Sequence, residues 1–312
     1  MRKITIVGAG RVGESTAQFI AAKDMCREIV LLDIRQGAAE GAALDIQEVA
    51  PLFEYDTRLS GGSDTSMMAD SDLIIVTAGL PRKPGMSRSD LLETNVNIMD
   101  DIIDDAMQYA PDCVMLFVTN PVDVVTYYAW RKTGWSRNRI FGQAGVLDSS
   151  RMASFIAMET GYSTLDINTM VLGGHGDTMV PMHRYTTIAG IPISNFIDKD
   201  RLDEIVERTR HGGAEILALR QNSSAYDAPA ASVAEMVDAI VHDRKRILPT
   251  VSILEGEYGH EDIAIGVPSV LGSSGMEAII SLDMNDAETT MFHNSAALVR
   301  KEIDLLKQLK GL

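Results

Sequence analysis

The chain has 312 residues, 46% of them hydrophobic, and a formal net charge of −16. Such length and apolar content exclude a disordered or fibrous polypeptide and predict a large core shared by two lobes. The charge argues against nucleic acid or an anionic membrane surface as a partner, and no run approaches the ~20 apolar residues of a membrane helix. Arginine outnumbers lysine about two to one. An acidic, lysine-poor surface fits high salt, where screening relieves self-repulsion, or an ordinary acidic enzyme. Cys26 and Cys113 form neither a CxxC nor a disulfide framework, and are expected as buried thiols in a reducing cytoplasm. The first strand is expected almost at Met1, which leaves no room for a secretory signal.

Residues 3–7, Lys-Ile-Thr-Ile-Val, are a short β-branched apolar run. Gly8-Ala9-Gly10-Arg11-Val12-Gly13 follows, then a helix-like stretch to about Lys23, then Ile29-Val30-Leu31-Leu32 ending on Asp33. The pattern is strand, glycine-rich turn, helix, strand, with an acid 20 residues beyond the last glycine. Each residue type suits dinucleotide binding. Gly8 permits a tight turn, Gly10 lets the backbone approach a pyrophosphate, and Gly13 lets helix and strand pack closely. The free N–H groups and positive dipole end of the helix attract phosphate. Asp33 can accept hydrogen bonds from both ribose hydroxyls and would repel a 2′-phosphate, which predicts NAD over NADP.

Residues 36–50 read as a helix stopped by Pro51. Leu73-Ile74-Ile75-Val76 is a continuous apolar strand ending at Thr77-Ala78-Gly79, as expected of a parallel sheet covered on both faces. Residues 80–90 predict a loop, 91–109 a helix, and 114–118 a buried strand ending at Thr119-Asn120-Pro121. Strands alternate with helices, so residues 1–145 predict a doubly wound parallel sheet of the Rossmann type. Residues 146–312 predict an α+β domain. Its elements are a helix from about Asp148 to Gly161, a strand at 167–172, helices at 200–220, 229–242 and 284–309, and short strand-like runs such as 246–254.

A doubly wound sheet places ligands at the carboxyl ends of its strands. Three polar clusters fall at or beyond such ends: 79–95, Thr119-Asn120, and Asp148 to Arg151; a fourth is Gly174-His175-Gly176-Asp177. His175 stands between glycines after an apolar strand. That setting suits either a plain turn histidine or a general acid/base. No second His or Cys stands at ligand spacing, so no metal is expected. Asp148 and Arg151 share a helix face as a surface ion pair, or as a pair in which Asp148 orients an imidazole and Arg151 forks onto a carboxylate. Arg82, Lys83 and Arg88 cluster in a Pro/Gly loop, either as solvated charges or as a lid over an anionic substrate.

Together, Gly79-Leu80-Pro81-Arg82-Lys83-Pro84-Gly85-Met86-Ser87-Arg88, Thr119-Asn120-Pro121-Val122-Asp123, Leu147-Asp148-Ser149-Ser150-Arg151 and Gly174-His175-Gly176-Asp177 resemble the malate/lactate dehydrogenase family, in the family's order and over essentially the whole chain. The details are most similar to the lactate-dehydrogenase-like malate dehydrogenases. The resemblance implies an NAD-dependent oxidoreductase in which His175 exchanges the hydroxyl proton of a 2-hydroxy acid and Asp148 holds its ring. It implies that Arg151 binds the C1 carboxylate, that Arg88 polarises the carbonyl, and that Asn120 and Ser224 border the substrate. It also implies that Gly8, Gly10, Arg11, Val12, Gly13, Asp33, Thr77, Ala78, Gly79, Asn95, Val118 and Asn120 line the NAD cleft. Ser223 departs from the family, where many members have glycine. Arg82 stands where lactate dehydrogenases usually carry Gln and malate dehydrogenases Arg. A second carboxylate in a closed site needs a fixed counter-charge, so Arg82 implies malate and oxaloacetate. The resemblance further implies a cytoplasmic homotetramer or dimer. The competing readings are another 2-hydroxy acid dehydrogenase, a catalytically dead NAD-binding module, and a structural oligomer. Arg82 opposes the first, the complete set of His175, Asp148, Arg151 and Arg88 the second, and the converging arginines the third.

Overall fold

The computed structural model describes residues 1–80 and 88–311, main chain only at Arg88 and Ser89. In chain order the first part runs β1 (Lys3–Val7), α1 (Arg11–Ala22), β2 (Glu28–Leu32), α2 (Ala38–Phe53), β3 (Arg58–Gly62), β4 (Leu73–Val76), α3 (Arg88–Tyr109), β5 (Val114–Phe117), α4 (Val122–Thr133) and β6 (Ile140–Gln143). The second part runs α5 (Gly145–Thr160), β7 (Ile167–Asn168), β8 (Val171–Gly173), β9 (Met179–Pro181), β10 (Thr187–Ile188), β11 (Ile191–Pro192), α6 (Lys199–Arg220), α7 (Asp227–Val241), β12 (Arg246–Glu255), β13 (Glu261–Gly272), β14 (Gly275–Ile279) and α8 (Asp286–Lys310).

Successive side chains of each central strand enter different cores, because strand side chains alternate between faces. Ile4, Ile6, Ile29, Leu31, Leu73, Ile75, Val114 and Leu116 pack on one side with Ile20, Ala39 and Val233 from α1, α2 and α7. Val30, Leu32, Ile74, Val76, Met115 and Phe117 pack on the other with Met99, Tyr127 and Phe292 from α3, α4 and α8. Burying each such aliphatic side chain contributes roughly 1.5–3 kcal/mol, which is why these runs are apolar throughout and not alternating. Met152, Ile156, Leu202 and Ile205 form a third core between α5 and α6.

Strands β1 to β6 are parallel in the order β3-β2-β1-β4-β5-β6. The chain reverses its direction of travel across the sheet between β1 and β4, and that crevice is where such a fold takes a ligand. The sheet does not stop at β6. Strand β12 pairs antiparallel with it, and β13, β8 and β9 follow. One sheet therefore links both parts of the chain.

Three expectations are corrected. The 36–50 helix does not stop at Pro51 but runs to Phe53 and closes at Glu54, whose N–H bonds to the Ala50 carbonyl. A proline in a last turn forfeits one hydrogen bond and not the helix. The helix expected at 91 begins at Arg88. The strand expected at 167–172 is two, β7 in a small separate sheet and β8 in the main one, whereas the run at 246–254 is β12, paired in a hairpin with β13. Pro249 and Pro268 face each other at its centre. Prolines are usually confined to sheet edges, so this facing pair is unusual in a central hairpin.

Candidate active site

The glycine-rich turn between β1 and α1 sits at the crevice. Gly8 has φ +107°, and a Cβ on it would lie 2.6 Å from the Ala78 main-chain nitrogen. A Cβ on Gly13 would lie 1.9 Å from the Gly8 carbonyl oxygen. Both glycines are therefore demanded by packing of the turn against α1 and the end of β4. Gly10 differs, because nothing stands within 4 Å of where its Cβ would be. Helix α1 begins at Arg11 with no side-chain cap from Gly10. An open approach and uncapped N–H groups fit a ligand that brings its own anionic oxygens.

Around this turn, the Thr77 hydroxyl donates to the Gly8 carbonyl at 2.9 Å, and Ala78 N–H donates to the Val7 carbonyl at 2.8 Å. Thr119 donates to the Ala78 carbonyl, while Asn95 bonds both main-chain groups of Leu80 and donates to the Asn120 carbonyl. A Cβ on Gly79 would strike Thr119 at 2.4 Å. Thr77, Ala78, Gly79, Asn95 and Asn120 thus form one network across the ends of β4 and β5. Val12 and Val118 flank it, half-buried, and Arg11 lies exposed with its guanidinium over the Tyr226 ring. Asp33, at the end of β2, accepts the Ala9 N–H at 3.0 Å. Burial alone would raise the Asp33 pKa, but hydrogen bonds from Arg35 and Ala9 outweigh it and hold the carboxyl below its ordinary value. Arg35 forks onto that carboxylate from an exposed position.

The second cluster is centred on Asp148, whose side chain is 2% exposed in the first turn of α5. Its Oδ2 lies 2.9 Å from His175 Nδ1, and its Oδ1 accepts Arg151 Nη1 at 3.3 Å. The contact assigns the proton of Nδ1 to Asp148 and leaves Nε2 free to exchange one. Burial alone would lower the His175 pKa. The charge and hydrogen bond of Asp148, with Asp123 adding, more than offset it, against opposition from Arg151, and the net shift is upward. Arg151 Nη1 also reaches the Thr209 carbonyl of α6. Its remaining N–H groups have no acceptor among the described residues, and a Cβ on Gly212 would lie 2.3 Å from Arg151 Cδ. Residues expected together in sequence are therefore together in space at Asp148, Arg151 and His175. Asn120 joins His175 on a cavity of about 510 Å³. Ser224 stands exposed between α6 and α7 with no hydrogen bond to these groups among the described residues. Arg82 lies outside the described residues, as does the side chain of Arg88. A larger depression of about 930 Å³ opens at the opposite ends of β2 and β3, lined by Asp24, Arg27, Glu28 and Arg58, with no such acid–base constellation.

Residues 2–142 match the model of the lactate/malate dehydrogenase NAD binding domain, and residues 145–310 match that of the alpha/beta C-terminal domain. The chain belongs to the lactate/malate dehydrogenase family. A malate dehydrogenase of Thioalkalivibrio sulfidiphilus is 65% identical over 307 residues, 98% of this chain and 100% of that one. The malate dehydrogenase structure from Salinibacter ruber superimposes with a TM-score of 0.95 at 43% identity, covering 99% of each chain. The lactate dehydrogenase of Cryptosporidium parvum, solved with lactic acid and nicotinamide adenine dinucleotide, superimposes at 0.94 and 34% identity over 98% of each chain. The glycine turn, its network and Asp33 thus belong to the family's NAD-binding domain.

Four residues at this site escape sequence reasoning. Arg35 carries no motif of its own, Asp123 stands in the Thr119–Asp123 stretch without a role assigned to it, and Thr209 contributes only a carbonyl. Gly212 does leave a trace: a Gly212-Gly213 pair inside a helix lowers helix stability by about 1 kcal/mol per glycine and calls for a packing reason.

The two glycines should separate by experiment. Gly13→Ala should lower the melting temperature of the cofactor-free protein by several degrees, which in a chain this size corresponds to about 2–4 kcal/mol of strain. Gly10→Ala should leave that melt unchanged and weaken NADH binding about tenfold or more. Equal melts for both variants would refute the packing role of Gly13. Asp33→Ser should narrow the preference for NADH over NADPH, measured as the ratio of kcat/KM values; an unaltered protein that uses both equally would overturn Asp33 as the selector.

Proposed function

We propose that this protein is an NAD-dependent malate dehydrogenase that interconverts (S)-malate and oxaloacetate. The observation that carries this reading is the buried Asp148 carboxylate shared between His175 Nδ1 and Arg151. It couples a proton-exchanging imidazole to a guanidinium with donors to spare. Arg82, and the full-length relatives named as malate dehydrogenases, favour malate over lactate. In this reading residues 1–145 form the cofactor-binding domain, which also lends Arg82, Arg88 and Asn120 to the substrate, and 146–312 form the catalytic and substrate domain.

Bound NAD supplies the hydride acceptor, and NADH the donor. His175 Nε2 takes the hydroxyl proton during oxidation and returns it during reduction. Asp148 holds the ring and stabilises the imidazolium. Arg151 forks onto the C1 carboxylate, Arg88 polarises the C2 oxygen where charge develops, and Arg82 meets the second carboxylate. Asn120 and Ser224 border the substrate. The buried thiols of Cys26 and Cys113 support a reducing, cytoplasmic setting for this step of the tricarboxylic acid cycle. Leu44, Leu52 and Phe53 lie exposed on α2 and support assembly as a homotetramer or dimer.

Oxaloacetate binds productively with His175 protonated, and malate with it neutral. Because the His175 pKa is raised above 6.5, kcat/KM for oxaloacetate should hold through that pH and fall as pH rises through the higher value. Malate oxidation should rise over the same interval. Asp148→Asn should move both limbs to lower pH and cut kcat by about 100-fold or more. Limbs that stay in place in the variant would refute the pairing.

Substrate choice is tested at Arg82. Hydrogen bonds to charged groups contribute about 1.5–3 kcal/mol net, and a wrong substrate would strand the guanidinium. Arg82→Gln should lower kcat/KM for oxaloacetate about tenfold or more and raise it for pyruvate. Arg88→Gln should harm both alike. An unchanged oxaloacetate-to-pyruvate ratio in Arg82→Gln would remove Arg82 as the specificity residue.

A further inference from the structure

His175 is bound by two carboxylates, and the reaction above uses only one. Asp123, the second residue of α4, accepts the His175 main-chain N–H through Oδ2 at 3.1 Å. The residue is 6% exposed, and its Oδ1 is buried with no hydrogen-bond partner among the described residues. It lines the 510 Å³ cavity together with His175 and Asn120. The charged groups around the Asp123–His175 pair come from three further directions: Asp148 and Arg151 on α5, Asp177 in the 174–178 turn, and Lys301 and Glu302 on α8.

An orphaned carboxylate oxygen in a protein interior is costly. A Ser would anchor the same N–H and leave no second oxygen buried without a partner. Anchoring alone therefore does not explain an aspartate at this position; its charge does. We propose that Asp123 is a positioning residue that anchors the His175 main chain and, as a second negative charge beside the imidazole, sets the pH interval over which His175 exchanges its proton. The geometry acts on the ring through Coulomb attraction and on the main chain through the hydrogen bond. Burial pushes the Asp123 carboxyl up to about 7, against the pull of the His175 N–H and charge. The carboxylate favours the imidazolium beside it, and the imidazolium favours the carboxylate. The alkaline limit for reduction is extended, and the acid limit for oxidation rises with it.

This inference rests on the reading of His175 as the proton-exchanging group. Asp123→Asn keeps an oxygen able to accept the N–H and removes the charge, whereas Asp123→Ala removes both. The intact enzyme, both variants and His175→Asn are compared in oxaloacetate reduction and malate oxidation from about pH 5 to about pH 10. Over the same range the rate of His175 modification by diethyl pyrocarbonate, which reacts with neutral imidazole, reports the ring directly in the cofactor-free protein. Asp123→Asn should shift both activity limbs and the modification profile to lower pH by about half a unit or more, with kcat reduced less than about tenfold. Asp123→Ala should lose more kcat, and Asn should restore it. Activity profiles that superimpose after scaling, or an unmoved modification profile, would overturn the proposal. An intact enzyme that fails to reduce oxaloacetate would sink the malate dehydrogenase reading instead, and the modification profile would still decide the role of Asp123.

Discussion

A carboxylate removed from water must be matched, and Asp148 is matched twice. With its side chain 2% exposed, it binds an imidazole through one oxygen and a guanidinium through the other. Removing either partner would leave a buried charge underbalanced, which is far more damaging than losing a surface ion pair. The requirement ties three separate pieces of chain together: the start of α5, the turn after β8 and, through Arg151, the Thr209 turn of α6. Arg151 reaches its place only because Gly212 leaves the space. The catalytic geometry and the packing of the second part of the chain are thus one constraint.

The cofactor side obeys a different rule, that of close main-chain approach. Gly8 and Gly13 allow the turn, α1 and the end of β4 to touch at distances no side chain tolerates, while Gly10 stays open. The parallel order β3-β2-β1-β4-β5-β6 puts that turn beside Thr77 to Gly79 at the point where the chain changes its direction of travel. The antiparallel addition of β12 and β13 to β6 then carries the sheet toward β8, which delivers His175. A continuous sheet is a stiff means of setting the distance between a dinucleotide crevice and an acid–base pair.

How much of this is legible in the sequence follows from how local each demand is. The fingerprint at Gly8, Gly10, Gly13 and Asp33 is legible because each position needs one residue type at one spacing. Strands β1, β2, β4 and β5 are legible because burial on both faces makes them nearly all apolar. Asp148 and Arg151 can be paired from their spacing on a helix. That His175 joins them depends on how β8 packs on α5, which no local pattern encodes, and the family resemblance supplies it. Asp123 is illegible in kind: an acid in the first turn of a helix looks like ordinary dipole compensation, and only the fold reveals its contact with His175. The run that forms β12 is legible at 246–254 despite Pro249, but its register with β13, which sets Pro249 opposite Pro268, is not encoded by any local pattern.

The reading also has to reconcile a substrate of two negative charges with a chain whose net charge is −16. At physiological ionic strength charge is screened over about 8 Å, so the distant acidic surface counts for little once the substrate is near the cleft. Within that distance the balance is set by individual groups. Arg151 is 11% exposed and keeps N–H donors without acceptors among the described residues, so its field is less diluted by solvent than that of a surface arginine. In the reading proposed above, Arg82 and Arg88 bring two more guanidinium groups to the same substrate. Of the two carboxylates bonded to His175, Asp148 is compensated by the imidazole and Arg151, and Asp123 by the main-chain N–H and charge of His175. A strongly acidic protein can therefore present a locally cationic site, because its inner carboxylates are matched where a free charge would repel the substrate.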